Sequence, residues 1–449
     1  MCYQLVMRGV FTIPLLLLLL HVHFSSAASG DEYWDGRYRA SGASQGGVRA
    51  ITVQGRNVFI GGGFSEIGGV PANNIARWDG TNWWALGIGV DGPVYSLAAH
   101  GNNLYVGGAF ETAGGTTAAH VAQWDGTNWA AVGERSFPFH VVALAVSTNG
   151  NEVYAGHQEI GAAGGRYIFK FDGTDWTPLG GGIYYNDALS TPVGAIAVDG
   201  NDVFLGGQFR NVGGVEATNL ARWDGTNWWP VGGGVEFDVP GIGTTLKVAA
   251  LAVAGGKLYV GGNFTRTGDA IDSNVSNIAR WDGTNWFTFG RGVGFTVRAL
   301  VVNGAEVYAG GTIRNEARGF AAPGIAKWDG ANWTPLGSGL SDPNYGVAMA
   351  LGLRGADLFT GGIFSIAGGK PAEDLAIWHI PQSLQIALMT GKFLISWPTQ
   401  AVNYVLQSST VLSQSAWSAF PQVPQIVNGR YTVMSDLFGE SSFFRLTQP

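Results

Sequence analysis

Val48-Arg-Ala-Ile-Thr-Val-Gln-Gly55, Asn57-Val-Phe-Ile-Gly-Gly-Gly-Phe64, Asn74-Ile-Ala-Arg-Trp-Asp-Gly80 and Trp83-Trp-Ala-Leu-Gly87 are four short runs in one stretch of chain. The same four pieces restart at Val94, Val141, Val193, Val248, Val297 and Val347, which makes seven starts 46 to 55 residues apart. Each run is rich in β-branched and aromatic residues and is bounded by Gly, Asn or Asp, the composition of a strand. We name the runs A, B, C and D. Four strands in roughly 40–50 residues is the period of a β-propeller blade. No unit holds an apolar stretch of 3.6-residue period long enough for a solenoid helix.

The turns carry their own chemistry. A passes to B through Gly101-Asn102-Asn103, Asp199-Gly200-Asn201 or Asn303-Gly304, residues that tolerate the positive φ of a tight hairpin. C passes to D through Asp-Gly at Asp79, Asp125, Asp172, Asp224, Asp282 and Asp329. There the carboxylate can accept a backbone N–H while Gly takes the left-handed position. The tryptophans on either side are expected to pack between neighbouring blades.

The last unit has A from Val347, B at Leu358–Gly362 and C at Leu375–Trp378, then runs into His379-Ile-Pro381 without a D strand. Trp34-Asp35-Gly36 followed by Tyr38–Gly42 offers the missing piece, so the first strand is expected to complete the last blade and remove the open edges of the ring. The fold class is therefore all-β: a seven-bladed β-propeller over 33–380 closed by its N-terminal strand, then a small β-sandwich-like domain over 382–449.

Composition agrees. Of 449 residues, 71 are Gly and 17 Trp, and only 13% are charged, against about 25% in an average domain. The net charge is −7, and no Lys/Arg cluster suggests a nucleic-acid or anionic-membrane partner. Arg8, the apolar run Val10–Leu20 and Ser26-Ala27-Ala28 read as an export signal over 1–28. The run is short of the roughly 20 residues a spanning helix needs, which favours cleavage over an anchor. Cys2, the only cysteine, falls inside that signal, so the mature chain is expected to be secreted or held in the cell envelope without a disulfide.

The Gly-Gly after B, the aromatic residue of C and the Trp of D resemble kelch-type propeller repeats. The fuller string, Gly-Gly-x-Phe with Asn-Ile-Ala-x-Trp-Asp-Gly, is more similar to repeats of fungal cortical polarity-marker proteins and of uncharacterised secreted bacterial proteins. The third unit departs from it, with Gly156-His157 for Gly-Gly and Phe171 for Trp, and is expected to be slightly irregular. Beyond Pro381, Ile395-Ser-Trp-Pro398, Tyr404-Val-Leu-Gln-Ser-Ser409 and Phe443-Phe-Arg-Leu446 resemble a C-terminal domain of secreted Verrucomicrobia and Planctomycetes proteins. That resemblance implies a bacterial source and a role in attachment or sorting, with a plain structural cap as the alternative.

A–B and C–D turns are short throughout, whereas B–C and D–A loops vary and lie on one side of an up-down blade. Function usually rides on variable loops over a rigid scaffold. The ligand-binding candidates there are Tyr184, Tyr185, Arg210, Arg266, Arg314 and Asp342. Three guanidiniums near one channel could fork onto carboxylates or acidic sugars; the alternative is solvated loop charges paired with nearby acids.

No catalytic set stands out. The mature histidines, His100, His120, His140, His157 and His379, lack short metal-ligand spacing, so neither metal nor cofactor is expected. The kelch-ring copper-radical oxidases need a Cys–Tyr crosslink that this chain cannot make. Asp-Gly-Thr-Asn-Trp is similar to the sialidase Asp-box, itself structural. The sequence thus reads as a monomeric binding or scaffold protein for a protein or glycan ligand. The alternatives are a glycan-active hydrolase or lyase using loop carboxylates and tyrosines, or a structural envelope component.

Overall fold

The computed structural model describes residues 5–8 and most of 30–447. It leaves out 37–39, 42–46, 134–136, 138–139, 158–166, 184–192, 238–246, 269–274, 314–321, 343–345 and short stretches of 382–440. Among the described residues there is no α-helix, only strands and two single-turn 3₁₀ segments. The chain divides into two compact units: 29–354 with 358–378, and 379–449 with 1–28 and 355–357.

The larger unit is a β-propeller. Blade 1 pairs Val48–Gln54, Asn57–Gly62, Ile75–Trp78 and Trp83–Ala85 as a four-stranded antiparallel sheet in that order. Blades 2 to 5 repeat the arrangement from Val94, Val141, Val193 and Val248. Blade 6 runs from Phe295–Asn303 to Trp333–Pro335. In blade 7, Val347–Arg354, Asp357–Ile363 and Leu375–His379 are joined by Trp34–Asp35, with Trp34 opposite Trp378 and Asp35 opposite Ile377. Each A strand lies beside the A strand of the next blade, and that of blade 7 lies beside that of blade 1.

The Gly-Gly at the end of B explains this packing. A Cβ on Gly61 would stand 2.4 Å from Val94 Cγ1 of the next blade, and one on Gly206 would stand 2.3 Å from Val248 Cγ1. Removing the side chain on one blade makes room for a fully buried Val on its neighbour, worth about 1.5–3 kcal/mol apiece. The pattern runs through blade 3, where Gly156 receives Val193, and crosses the seam, where Gly361 receives Val48. His157 replaces only the second glycine and is itself buried, so blade 3 keeps its four strands. In blade 7 the packed residue is Ala348 against Gly310, one position after the Val347 of the repeat.

The D-strand tryptophans tie the outer layer. Each packs within its own sheet against the last aromatic of C, tilted or edge to face, as in Trp223–Trp228 at 5.4 Å between ring centroids and Trp34–Trp378 at 5.2 Å. In blades 2 to 6 its indole Nε1 then donates to a carbonyl of the preceding blade: Trp129 to Leu86, Trp176 to Val132, Trp228 to Gly180, Trp286 to Gly232 and Trp333 to Phe289. Trp34 does the same to Leu336, at 2.9 Å. Trp34 is therefore the D-strand tryptophan of blade 7. Trp34-Asp35-Gly36 is not a C–D turn leading to a strand at Tyr38–Gly42; Ala40–Ser41 already pairs with Glu66–Ile67 of blade 1.

The Asp-Gly turns form as their chemistry requires. Asp79 Oδ1 accepts the N–H groups of Thr81 and Asn82, and Asp125, Asp172, Asp224, Asp282 and Asp329 repeat the pair. These bonds hold each carboxyl below the ordinary Asp range.

In the second unit, Gln385–Met389, Lys392–Pro398, Arg430–Asp436 and Gln425–Val427 make one sheet. Val405–Ser409, Ser418–Ala419 and Ser441–Thr447 make another, and Leu5–Arg8 runs antiparallel to Ser441–Thr447. Ile395, Trp397 and Val433 of the first sheet share one buried cluster with Leu406, Phe444 and Leu446 of the second.

Candidate functional site

The face bearing the B–C and D–A segments is more ordered than a set of loops. In blades 1, 2, 4 and 7 the B–C segment folds into a two-residue-a-side hairpin, such as Thr112–Ala113 against Thr116–Thr117. These hairpins, and Arg266–Thr267 of blade 5, also pair with the D–A segment of the preceding blade: Val90 with Ala113, Ile183 with Val212, Val235 with Thr267, Leu340 with Ala367 and Ala40 with Ile67. Among the described residues the face is thus stitched between neighbouring blades at five places around the ring. An open pocket of about 220 Å³ lies on it between blades 1 and 2, lined by Asn73, Asn74, Ile88, Asp91, Thr112 and Gly115, among others.

In three blades an asparagine at the head of the C strand holds the stitching. Asn74, Asn219 and Asn277 sit at φ near +65° and donate Nδ2–H to the carbonyls of Val90, Val235 and Val293 at 2.7–3.0 Å. Asn219 Oδ1 also accepts the N–H of Phe209. Left-handed backbone suits Asn better than most side chains. His120 and Asp374 occupy the same position with positive φ. Asp374 Oδ1 accepts the N–H of Phe364 at 3.1 Å, as Asn219 does from Phe209. Burial raises its pKa to about 6, aided by the charges of Asp342 and Glu373 against that one amide bond.

The sequence-derived candidates divide. Arg210 Nη1 lies 3.6 Å from Glu236 Oε1, and Arg266 Nη2 bonds Glu236 Oε2 across the Val235–Thr267 pairing. The structure therefore brings these two guanidiniums onto one carboxylate. Asp342 follows the short strand Leu340–Ser341 and interacts electrostatically with Asp374. Tyr184, Tyr185 and Arg314 lie outside the described residues.

A second group was missed by sequence reasoning. In blades 1 to 6 the A–B pairing shifts register at one place, between Val48 and Ala50, Val94 and Ser96, Val141 and Ala143, Val193 and Ala195, Val248 and Ala250, and Val297 and Ala299. A β-bulge re-aims the extra side chain. The bulged residues are Arg49, Tyr95, Val142, Gly194, Ala249 and Arg298, at the start of the innermost strands beside the D–A segments. Arg49 Cζ lies 5.2 Å from the Tyr95 ring centroid, Tyr95 lies 6.3 Å from His140, and His140 lies 5.2 Å from His120. His120 Nε2 is 3.8 Å from Glu111 Oε1. Burial holds His120 below the ordinary His range despite Glu111. Arg298 is exposed, with its Nε donating to Thr312 Oγ1 at 2.7 Å. A bulge beside the aligned Val could not be read from residue type, because the residue that follows ranges from Gly and Ala to Val, Tyr and Arg.

With this geometry in hand, the chain can be set beside known proteins. A family model described as the Rax2 C-terminal beta propeller domain matches residues 38–230. No curated protein matches the chain. Among solved structures, the Niastella koreensis GH74 enzyme is 15% identical, with a TM-score of 0.45, over 87% of this chain. The present chain covers 62% of that enzyme's length. The Mitotic Checkpoint Complex gives 16% identity and a TM-score of 0.43 over 74% of this chain and 90% of that one. The protein is a β-propeller repeat protein, similar over those 193 residues to the Rax2 propeller domain.

Proposed function

We propose that this chain is an exported, seven-bladed propeller that binds a protein or glycan ligand, or scaffolds one, through the face carrying the B–C and D–A segments. Five four-stranded sheets, one eight-stranded sheet that holds blades 6 and 7 joined through Thr312 and Val347, and the pairing of Trp34 with Trp378 support the blade count and the closure. The observation that carries the functional reading is the stitched face itself. Hairpins paired to the preceding blade hold side chains from different blades at fixed separations, which lowers the ordering cost of binding. Residues 1–28 supply the export reading through Arg8 and the Leu15–Leu20 run. The test is a glycan and peptide array probed with residues 29–449. Retention of a ligand that is lost on replacing Thr112–Thr117 by a Gly-Ser turn supports the reading. Retention untouched by changes on this face, or turnover of a polysaccharide instead of binding, rejects it.

A glycan hydrolase is the second reading, and Asp374 is what favours it, since a carboxyl raised to about 6 beside another Asp suits a general acid. The repeat argues otherwise: Asn fills the same position as a structural link in three other blades. Polysaccharide cleavage abolished by Asp342→Asn would reverse that preference.

A further inference from the structure

We infer that export uncovers a strand edge in the second unit, and that two copies of the mature chain associate there by antiparallel pairing of Ser441–Thr447 with its counterpart. The inference rests on the export reading of residues 1–28. It concerns the second unit by itself and is separate from the ligand face.

Ser441–Thr447 has a neighbour on each side. On one side it pairs with Val405–Ser409, from Phe443 opposite Ser409 to Thr447 opposite Val405. On the other it pairs with Leu5–Arg8, from Phe444 opposite Leu5 to Ser441 opposite Arg8. Leu5–Arg8 lies inside the export signal, ahead of the Leu15–Leu20 run. Cleavage of residues 1–28 therefore removes the outer strand of this sheet and makes Ser441–Thr447 its edge. The backbone of Ser441–Phe444 then loses its outer ladder, beside Phe443 and Phe444, which are buried while that ladder stands.

Proteins usually defend an edge by shortness, proline, a bulge or an outward charge. The opposite edge of the same sheet, Ser418–Ala419, is two residues long. Ser441–Thr447 has seven residues, no Pro or Gly, and no register shift on either side. Its one charged residue is turned to other use: Arg445 Nε donates to Gln407 Oε1 on the inner strand at 2.8 Å, and its guanidinium lies 4.4 Å from the Trp417 ring centroid. The charge is held over the sheet itself, not against an incoming strand. Aromatic and other strand-favouring residues fill most of the remainder. A regular edge of this composition is a template for a further strand.

Geometry then selects the occupant. Leu5–Arg8 shows that the edge accepts an antiparallel neighbour, with the apolar residue types Leu and Val opposite Phe444 and Phe443. Antiparallel is also the sense in which two copies of one strand meet about a two-fold axis, each presenting the same patch to the other. In a pair centred on Phe444 all seven residues find a partner: Phe444 meets its counterpart and Arg445 meets Phe443. Apolar residues again stand opposite one another at the centre, and the two arginines avoid the like-charge opposition that destabilises a ladder. An edge contact buries less than the roughly 1,600 Å² of a standard interface, so the dimer is weak and depends on concentration. It would nonetheless carry two propellers on one particle and strengthen weak ligand binding through avidity.

The test is light scattering from residues 29–449 over a range of protein concentrations. The mass is expected to rise from that of one chain to twice that value. Ser442 pairs with Met7 but not with Val405–Ser409, so Ser442→Pro strikes the outer ladder and spares the inner one. It is expected to weaken the dimer roughly ten- to a hundredfold, with an unchanged melting curve at a dilution where the chain is single. Ser442→Lys, which sets a like charge on both edges, is expected to weaken it too and serves if the proline variant does not fold. A synthetic peptide of residues 3–9 in excess should return the mass to that of one chain, and the same peptide with Val6→Pro should not. The inference is overturned if residues 29–449 stay single at every concentration, even while binding the peptide. It is also overturned if the dimer survives both Ser442 variants or an excess of the peptide. The export reading fails separately, if protein recovered outside the cytoplasm still begins at Met1; a processed chain that stays single sinks the edge pairing and leaves export standing.

Discussion

Blade 4 and blade 7 solve the same problem with different side chains. In blade 4, Asn219 accepts from Phe209 N–H and donates to the Val235 carbonyl, joining its own sheet to the segment that crosses to blade 5. In blade 7, Asp374 accepts from Phe364 N–H in the same way, but an ionised carboxylate has no proton to donate. The crossing segment there holds Ala40, whose pairing with Ile67 matches that of Val90 with Ala113. The difference teaches that sequence equivalence within a repeat does not give energetic equivalence. One atom, O for N, leaves blade 7 with a half-made link at the place where the two distant parts of the chain meet.

Breaking the seam should have the largest effect. Trp34 is 2% exposed, packs edge to face against Trp378 and donates to Leu336. Trp34→Ala is expected to cost about 3–5 kcal/mol in urea unfolding. An unchanged midpoint would show that blade 7 holds without its outer strand. Next comes importing the blade 7 arrangement into blade 4. Asn219→Asp places a carboxylate against the Val235 carbonyl at an 8% exposed site and should cost about 2–4 kcal/mol at neutral pH.

The reverse change sharpens the comparison by its pH dependence. The folded pKa of Asp374, about 6, lies above its unfolded value, so the folded state binds more protons between roughly pH 4 and 6. Stability therefore falls as pH rises through that window and stays lower above it. Asp374→Asn should remove this fall, raising stability by about 1–2 kcal/mol at pH 7.5 after allowance for solvent screening and by little at pH 4. Melting temperatures measured at both pH values decide it, and an equal effect at both would refute the proton account. The smallest effect belongs to the Asp-Gly turns, whose carboxyls lie at or near the surface. Asp224→Ala should lower the melting temperature slightly at neutral pH. Its folded pKa is depressed, so this contribution is present above the unfolded pKa and disappears in strong acid. A loss that persists there would locate the effect in backbone entropy.

What could be read from the residues was whatever repeats. The blade, the Asp-Gly turn and the tryptophan packing recur often enough to fix their roles before any coordinates. Trp34-Asp35-Gly36 was misread because it copies the letters of Trp78-Asp79-Gly80 while occupying the place of Trp83; only its partner, Trp378, distinguishes the two. The B–C hairpins escaped notice because two residues a side are too few to show a period. Arg49, Tyr95 and Arg298 escaped for the opposite reason. They stand where the repeat has no preferred residue, and their common feature is a backbone shift rather than a side chain. The partner that Arg210 and Arg266 share, Glu236, could not be named from the residues, because it lies 26 and 30 residues away on another segment of the face.

In blades 2 to 7 an indole bond ties the outermost strand to the blade before it. Donor and acceptor lie 43 to 54 residues apart along the chain in blades 2 to 6, but 302 apart in the bond from Trp34 to Leu336. Damage at Trp34 would therefore deprive a carbonyl near the far end of the ring sequence of its donor, so the two ends of the repeat array report on one another through a single indole.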